Sequence, residues 1–265
     1  MSKEAKEKTG TKEWAGDNVN IQIGCENGCR YCYARDNAVR RFKYCRPNEW
    51  NEPRINHSKV DKSYGYFPDG VMFPSTHDIT PKNLSECLVV INRLLDAGNK
   101  VLIVSKPQWC CITVICESIK VNFPNFWQNK VTFRFTTGST SDAVLKFWEP
   151  NAPGFTERWA CLKYAYEAGF DTSVSCEPYL DAHPEYVYAA TESLVTDKIW
   201  VGMLRDFDNR VVMDSVTLSE KAVYVKPLKA LQNPMFVKTI YNNMKELPKI
   251  EWKDSIREVL NLEKN

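Results

Sequence analysis

The chain has 265 residues, 43% of them hydrophobic and 26% charged, which is ample for one large core and typical of a soluble α/β protein. A formal net charge of only +2 leaves no whole-molecule field for a polyanion, so any nucleic-acid role needs a local patch. Ten cysteines are too sparse for a disulfide scaffold, and no apolar run approaches the ~20 residues of a membrane span.

Residues 1–17, with Lys3, Lys6, Lys8 and Lys12, read as a mobile charged tail rather than an apolar leader. Free thiols without such a leader point to a reducing cytoplasm. Val19, Ile21 and Ile23 alternate as a first strand running into Gly24. A helix is expected from Ala34 to Tyr44, then an insertion loop over 46–69 that carries His57 and no clean period.

Strand and helix then alternate. Val71–Phe73 is a strand; Thr80 caps a helix with Pro81 at its first position and Leu84, Leu88, Ile91 and Leu95 inward, ending at Gly98. Val101–Val104 is a buried parallel strand, followed by a helix with Cys110, Cys111 and Cys116. Val131, Phe133 and Phe135 mark the next strand, and Thr156–Ala168 a helix with Trp159, Leu162 and Tyr166 inward. Thr172–Ser175 and Ile199–Met203 are the fifth and sixth strands, separated by a helix opened by Pro184. The pattern predicts a single α/β domain over 18–265 with a parallel sheet of six βα units and C-terminal helices over 230–262. Periodicity leaves open whether that sheet curls or stays flat.

Between the first strand and first helix lie Cys25, Cys29 and Cys32, spaced by three and two residues, with Tyr31 before the last. Thiolates so spaced can close on one metal centre from a single loop, and no fourth ligand sits nearby. A zinc knuckle with a remote fourth ligand, or buried free cysteines, are the alternatives. The run Cys25-Glu26-Asn27-Gly28-Cys29-Arg30-Tyr31-Cys32 resembles the signature of the radical S-adenosylmethionine (SAM) superfamily. Phe73-Pro74-Ser75-Thr76-His77-Asp78, Ser105-Lys106, and Trp148-Glu149-Pro150-Asn151-Ala152-Pro153 with Arg158 are similar to its spore photoproduct lyase-like branch. Ser175-Cys176-Glu177-Pro178 and Trp200-Val201-Gly202 also look like phage-associated radical SAM proteins. The resemblance implies a curled (β/α)6 partial barrel, a [4Fe–4S] cluster on the three cysteines, SAM at its open iron, and a flavodoxin- or ferredoxin-like electron donor.

In such folds reactive groups sit at the carboxyl ends of strands. That rule selects His77, Asp78, Ser105, Lys106, Thr136, Ser139 and Glu177 as cofactor-binding candidates, with Lys106 for the SAM carboxylate; the resemblance places Tyr31, in the cysteine loop, near the adenine. The lyase's hydrogen-donating cysteine is replaced here by Ser75, a far poorer donor. Cys176 is the substitute candidate, against a reading as a small buried apolar residue. Cys45, Cys87, Cys110, Cys111, Cys116 and Cys161 lack the spacing of a second cluster.

For the substrate, Arg35, Arg40, Arg41 and Lys43, interleaved with Tyr33, Phe42 and Tyr44, form the concentrated basic stretch that could meet a nucleic acid; a solvated helix face is the plainer reading. A peptide or small metabolite is the alternative substrate. A zinc-bound nucleic-acid-binding module without catalysis is the rival from another class.

Overall fold

Seven short strands pair in parallel, and their order sets the shape of the molecule. The computed structural model describes residues 10–125, 127 and 129–263. In chain order they form β1 (Asp17–Asn18), β2 (Gln22–Ile23), α1 (Tyr33–Asp36), β3 (Arg54–Ile55), α2 (His57–Val60), β4 (Val71–Phe73), α3 (Leu84–Asp96), β5 (Val101–Ser105), α4 (Trp109–Asn122) and β6 (Val131–Thr136). After these come α5 (Asp142–Trp148), α6 (Phe155–Glu167), β7 (Asp171–Cys176), α7 (Pro184–Thr191), β8 (Ile199–Val201), α8 (Phe207–Arg210), α9 (Leu218–Glu220), α10 (Lys226–Ala230), α11 (Pro234–Met244), β9 (Ile250–Trp252) and α12 (Asp254–Leu260).

The main sheet runs β1-β4-β5-β6-β7-β8-β9, all parallel. This is the expected α/β partial barrel, with one strand more than the six predicted. Alternation divides its two faces. Val71, Phe73, Val101, Ile103, Val131, Phe133, Phe135, Val174 and Val201 join the helices in the main core. Met72, Val104 and Thr136 point the other way, toward a cavity in the concave face.

Several expectations change. The first strand is shorter and starts earlier than Val19; Gln22–Ile23 instead pairs antiparallel with Arg54–Ile55, inside the stretch read as an insertion loop. Helix α3 starts after Asn83, not Thr80; the Asn83 side chain is turned back to accept from the Thr80 N–H at 2.8 Å and so caps no helical N–H. On α6 the inward residues are Arg158, Cys161, Leu162 and Ala165, whereas Tyr166 is exposed. Strand β9 falls where helices alone were expected; three residues are too few to display a period of two.

The expected tail divides as well. Residues 1–9 lie outside the described residues, but Gly10–Glu13 form a 3-10 turn built into the concave face. The buried Glu13 carboxylate meets Lys253 Nζ at 2.6 Å and pairs with Arg257. Trp14 follows, its ring 4.4 Å from Lys253 Nζ and 5.0 Å from the Arg134 guanidinium and edge-on to Trp200, with ring centres 6.0 Å apart. These contacts seal one flank of the half-barrel. Among the described residues no helix is long and apolar enough to cross a membrane.

Candidate active site

The cysteine loop is held at both ends before it holds anything itself. At Gly24, φ is +89° and a Cβ would lie 2.6 Å from the Trp50 carbonyl oxygen, so only glycine lets the Cys25 N–H reach that oxygen at 2.8 Å. The far side of the loop is clamped by the segment after α5. The Arg30 N–H donates to Trp148 O at 2.9 Å, the Asn151 N–H to Asn27 O at 3.2 Å, and Asn151 Nδ2 to Glu26 O at 2.8 Å. Asn27 itself donates to Asp78 Oδ2 at 2.7 Å.

Asp78 is the junction. Its Oδ1 accepts from Ser105 Oγ at 3.0 Å and from the Lys106 N–H at 2.7 Å, and Lys106 Nζ lies 3.8 Å from Oδ2. Burial alone would push its pKa up, but the Lys106 charge and these donors hold it below the ordinary carboxylate range. His77 is equally committed: Nε2 accepts from the Ile21 N–H at 3.3 Å and Nδ1 faces Asp78 O at 3.1 Å, which requires the neutral Nδ1–H form. Burial accordingly pushes its pKa down to about 4. His77, Asp78 and Ser105 therefore fasten the loop to the strand ends, with their polar atoms spent within the protein.

Above this junction opens a cavity of about 800 Å³. Cys25, Cys29, Cys32, Tyr31, His77, Asp78, Ser105, Lys106, Thr136 and Glu177 all line it, with Ser75, Met203 and Leu204. Ten of the twelve site residues expected from sequence converge there. The other two do not. Ser139 is fully buried, donating to the Asp181 carboxylate and accepting from the Ser141 N–H at 2.9 Å, so it builds the turn after β6. Cys176 lies one residue out of phase with Ser175 and Glu177, in the main core and near Asp181 and Glu185. It does not line the cavity, which fits the reading as a small buried apolar residue.

None of the three loop cysteines is in a disulfide. Burial, then the Asp78 charge, pushes the Cys25 thiol up to about 12, and burial raises Cys29 and Cys32 too. Such thiols stay protonated until a metal displaces the proton. Lys106 sits beside them, 6.0 Å from the Tyr31 ring centre, its charge stabilised by the ionised Asp78 despite burial. Glu177 faces the same space. Burial raises its pKa to about 7, because Lys253, 3.6 Å away, is committed to Glu13 at the shorter distance. The donor set fits what the cysteine spacing implies: three thiols, a cation for a carboxylate, a titratable acid for hydroxyls or an amine, and apolar walls in a volume sufficient for a nucleoside cofactor.

Solved structures share this arrangement of strands. Variants of spore photoproduct lyase superpose over 89% of this chain and 75% of theirs, one holding AdoMet and a dinucleoside spore photoproduct at a TM-score of 0.53 and another holding the dinucleoside alone at 0.50. The chain has the fold of spore photoproduct lyase. Identity to the lyase is 12% in both comparisons, a likeness of fold. No protein-family model and no curated protein matches the sequence.

Sequence reading missed four residues that build the site. Tyr31 donates to Glu149, and Glu149 pairs with Arg158, both fully buried; their segment was noted for its resemblance but not for this role. Tyr33, read among stacking aromatics of the basic stretch, donates to the Ser75 carbonyl and lines the cavity. Lys253 lies in a stretch without sequence signal. Two arginines of the basic stretch are paired: Arg40 meets Asp36 at 2.5 Å and Asp206 at 3.2 Å, and Arg41 meets them at 3.2 and 3.4 Å.

Proposed function

We propose that this chain is a radical SAM enzyme, with Cys25, Cys29 and Cys32 holding a [4Fe–4S] cluster and SAM occupying the adjoining cavity. The observation carrying this reading is that three cysteines of the appropriate spacing line one cavity with Lys106 and Glu177, at the carboxyl ends of parallel strands. When bound and reduced, the cluster and cofactor supply one electron and a 5′-deoxyadenosyl radical for hydrogen abstraction from a substrate carbon.

The chain's own residues do the rest. Lys106 supplies the cation for the cofactor's carboxylate, and Asp78 fixes Lys106 by taking both its backbone N–H and its charge. Glu177 and Thr136 offer oxygens to hydroxyl or amino groups, while Met203, Leu204 and Tyr33 form the less polar wall. Gly10–Gly16 limit the access of water from the flank. An electron donor of the flavodoxin or ferredoxin type belongs to this scheme.

The reading extends to a nucleic acid or nucleotide as substrate, supported by the dinucleoside held by the structural neighbour. Its hydrogen-return step cannot rest on Ser75, whose hydroxyl accepts from Asn20 Nδ2 at 2.8 Å and is a poor hydrogen-atom donor. Anaerobic reconstitution followed by SAM and dithionite tests the class: four irons with sulfide and release of 5′-deoxyadenosine are expected, both lost in Cys25→Ala. One zinc without sulfide would overturn it.

A further inference from the structure

The mouth of the cavity carries a cation without a partner. Arg205 and Arg210 line it, and Arg41 lines the adjoining groove; Arg41, with its neighbour Arg40, is matched by Asp36 and Asp206, and Arg205 by Asp254 at 3.3 Å and Glu258 at 2.8 Å. Arg210, at the end of α8, is different. Its guanidinium makes no hydrogen bond or ion pair among the described residues; its Nε, like that of Arg205, is buried without an acceptor, but Arg205 has its two carboxylates and Arg210 has none within ion-pair distance. Burial and the neighbouring charges of Arg41 and Arg205 disfavour its cation, partly offset by Asp206 and Asp36. A half-buried guanidinium repelled by two others gains from an anion that enters from outside.

Its position says where that anion belongs. Arg210 lines both the main cavity and a second groove of about 590 Å³, formed with Arg41, Phe207, Gln232, Ser255 and Glu258. Lys106 lies on the cysteine side; Arg205 and Arg210 line the rim shared with the groove. One cation thus serves the inner end, and another stands where a substrate extending outward must pass.

We propose that Arg210 is a specificity-determining residue that binds a phosphate ester of the substrate at the rim of the cavity. The assignment rests on the enzyme reading above and deepens it by naming the charged group recognised. A planar guanidinium presents paired N–H donors that match two phosphate oxygens.

The test is calorimetric titration of the full chain, before and after anaerobic reconstitution, with a thymidine dinucleoside monophosphate and its uncharged methylphosphonate counterpart. The charged probe should bind roughly ten- to a hundredfold tighter, the effect of one lost charge-assisted hydrogen bond. Arg210→Gln should abolish that preference and Arg210→Lys should retain part of it. A thymidine 5′-monophosphate titration separates the two sources: tighter binding than the dinucleoside assigns a terminal phosphate, weaker binding an internal diester. Equal binding of the charged and neutral probes, no binding of either, or an Arg210→Gln protein with its preference intact overturns the proposal. Iron and sulfide counts on the same samples read the enzyme assignment separately, since neither probe requires the cluster.

Discussion

The phenol of Tyr31, inside the cysteine motif, donates to the carboxylate of Glu149, 118 residues further along the chain. Glu149 in turn pairs with Arg158, whose other nitrogens donate to Pro153 O at 2.8 Å and Thr136 O at 3.0 Å. A loop that must present three thiols is thus tied to α6 and the end of β6 by one buried acid. Removing a partner of a buried pair costs far more than the pair contributes on balance. Arg158→Met should destabilise the fold by about 3–5 kcal/mol, leaving Glu149 uncompensated. Tyr31→Phe should cost about 1 kcal/mol, because Arg158 still satisfies the carboxylate. Denaturant titrations of both variants, with iron content after reconstitution, check the ordering.

Below neutral pH, His77 should weaken the protein. The unfolded imidazole takes its proton near 6.5, the folded one only near 4, so stability is lost as pH falls across that window. The loss should reach about 3 kcal/mol by pH 4. His77→Gln keeps one acceptor and one donor for Ile21 and Asp78, and urea midpoints at pH 4.5 and 7 should differ less than in the parent.

Glu177 acts in the opposite direction. Its folded carboxyl holds the proton up to about 7, against 4.5 when unfolded, so its contribution is full below 4.5 and is lost as pH rises to 7. The difference is at most about 3 kcal/mol. Glu177→Gln should remove that alkaline loss, and stability curves from pH 5 to 8 would then diverge from the parent's at the upper end.

Gly24→Ala puts a methyl 2.6 Å from the Trp50 carbonyl in a backbone conformation that alanine resists. A cost of about 1–3 kcal/mol is expected, with reduced iron uptake because Cys25 is the next residue. Thermal melts and iron analysis report both.

Cys176→Ala should lower stability by about 1 kcal/mol and leave 5′-deoxyadenosine formation at the parent's level, since the thiol lies in the main core away from the cavity. Loss of substrate turnover in this variant with cofactor cleavage intact would restore Cys176 to the chemistry.

Which of these features were visible in the residue order depends on how local their signals are. The cysteine spacing, the run Val101–Val104 and the polar strand ends are contiguous, and they led to the cavity. Ser139 and Cys176 obeyed the same strand-end rule but failed by side-chain phase, which sequence does not reveal near a turn. Lys253, Glu13 and Trp14 were missed because their meaning lies in a pairing across 240 residues. Arg210 was overlooked for a related reason. Clustered arginines attract notice in a sequence, yet here the clustered Arg40 and Arg41 are paired and the isolated one is free.

The pairing of Glu13 with Lys253 and Arg257 also orders events during synthesis. The chamber's flank comes from residues 10–16 and part of its rim from 253–254, so a growing polypeptide has the three thiols long before it can enclose them. Until the last strand emerges from the ribosome, the thiols stand beside an open trough.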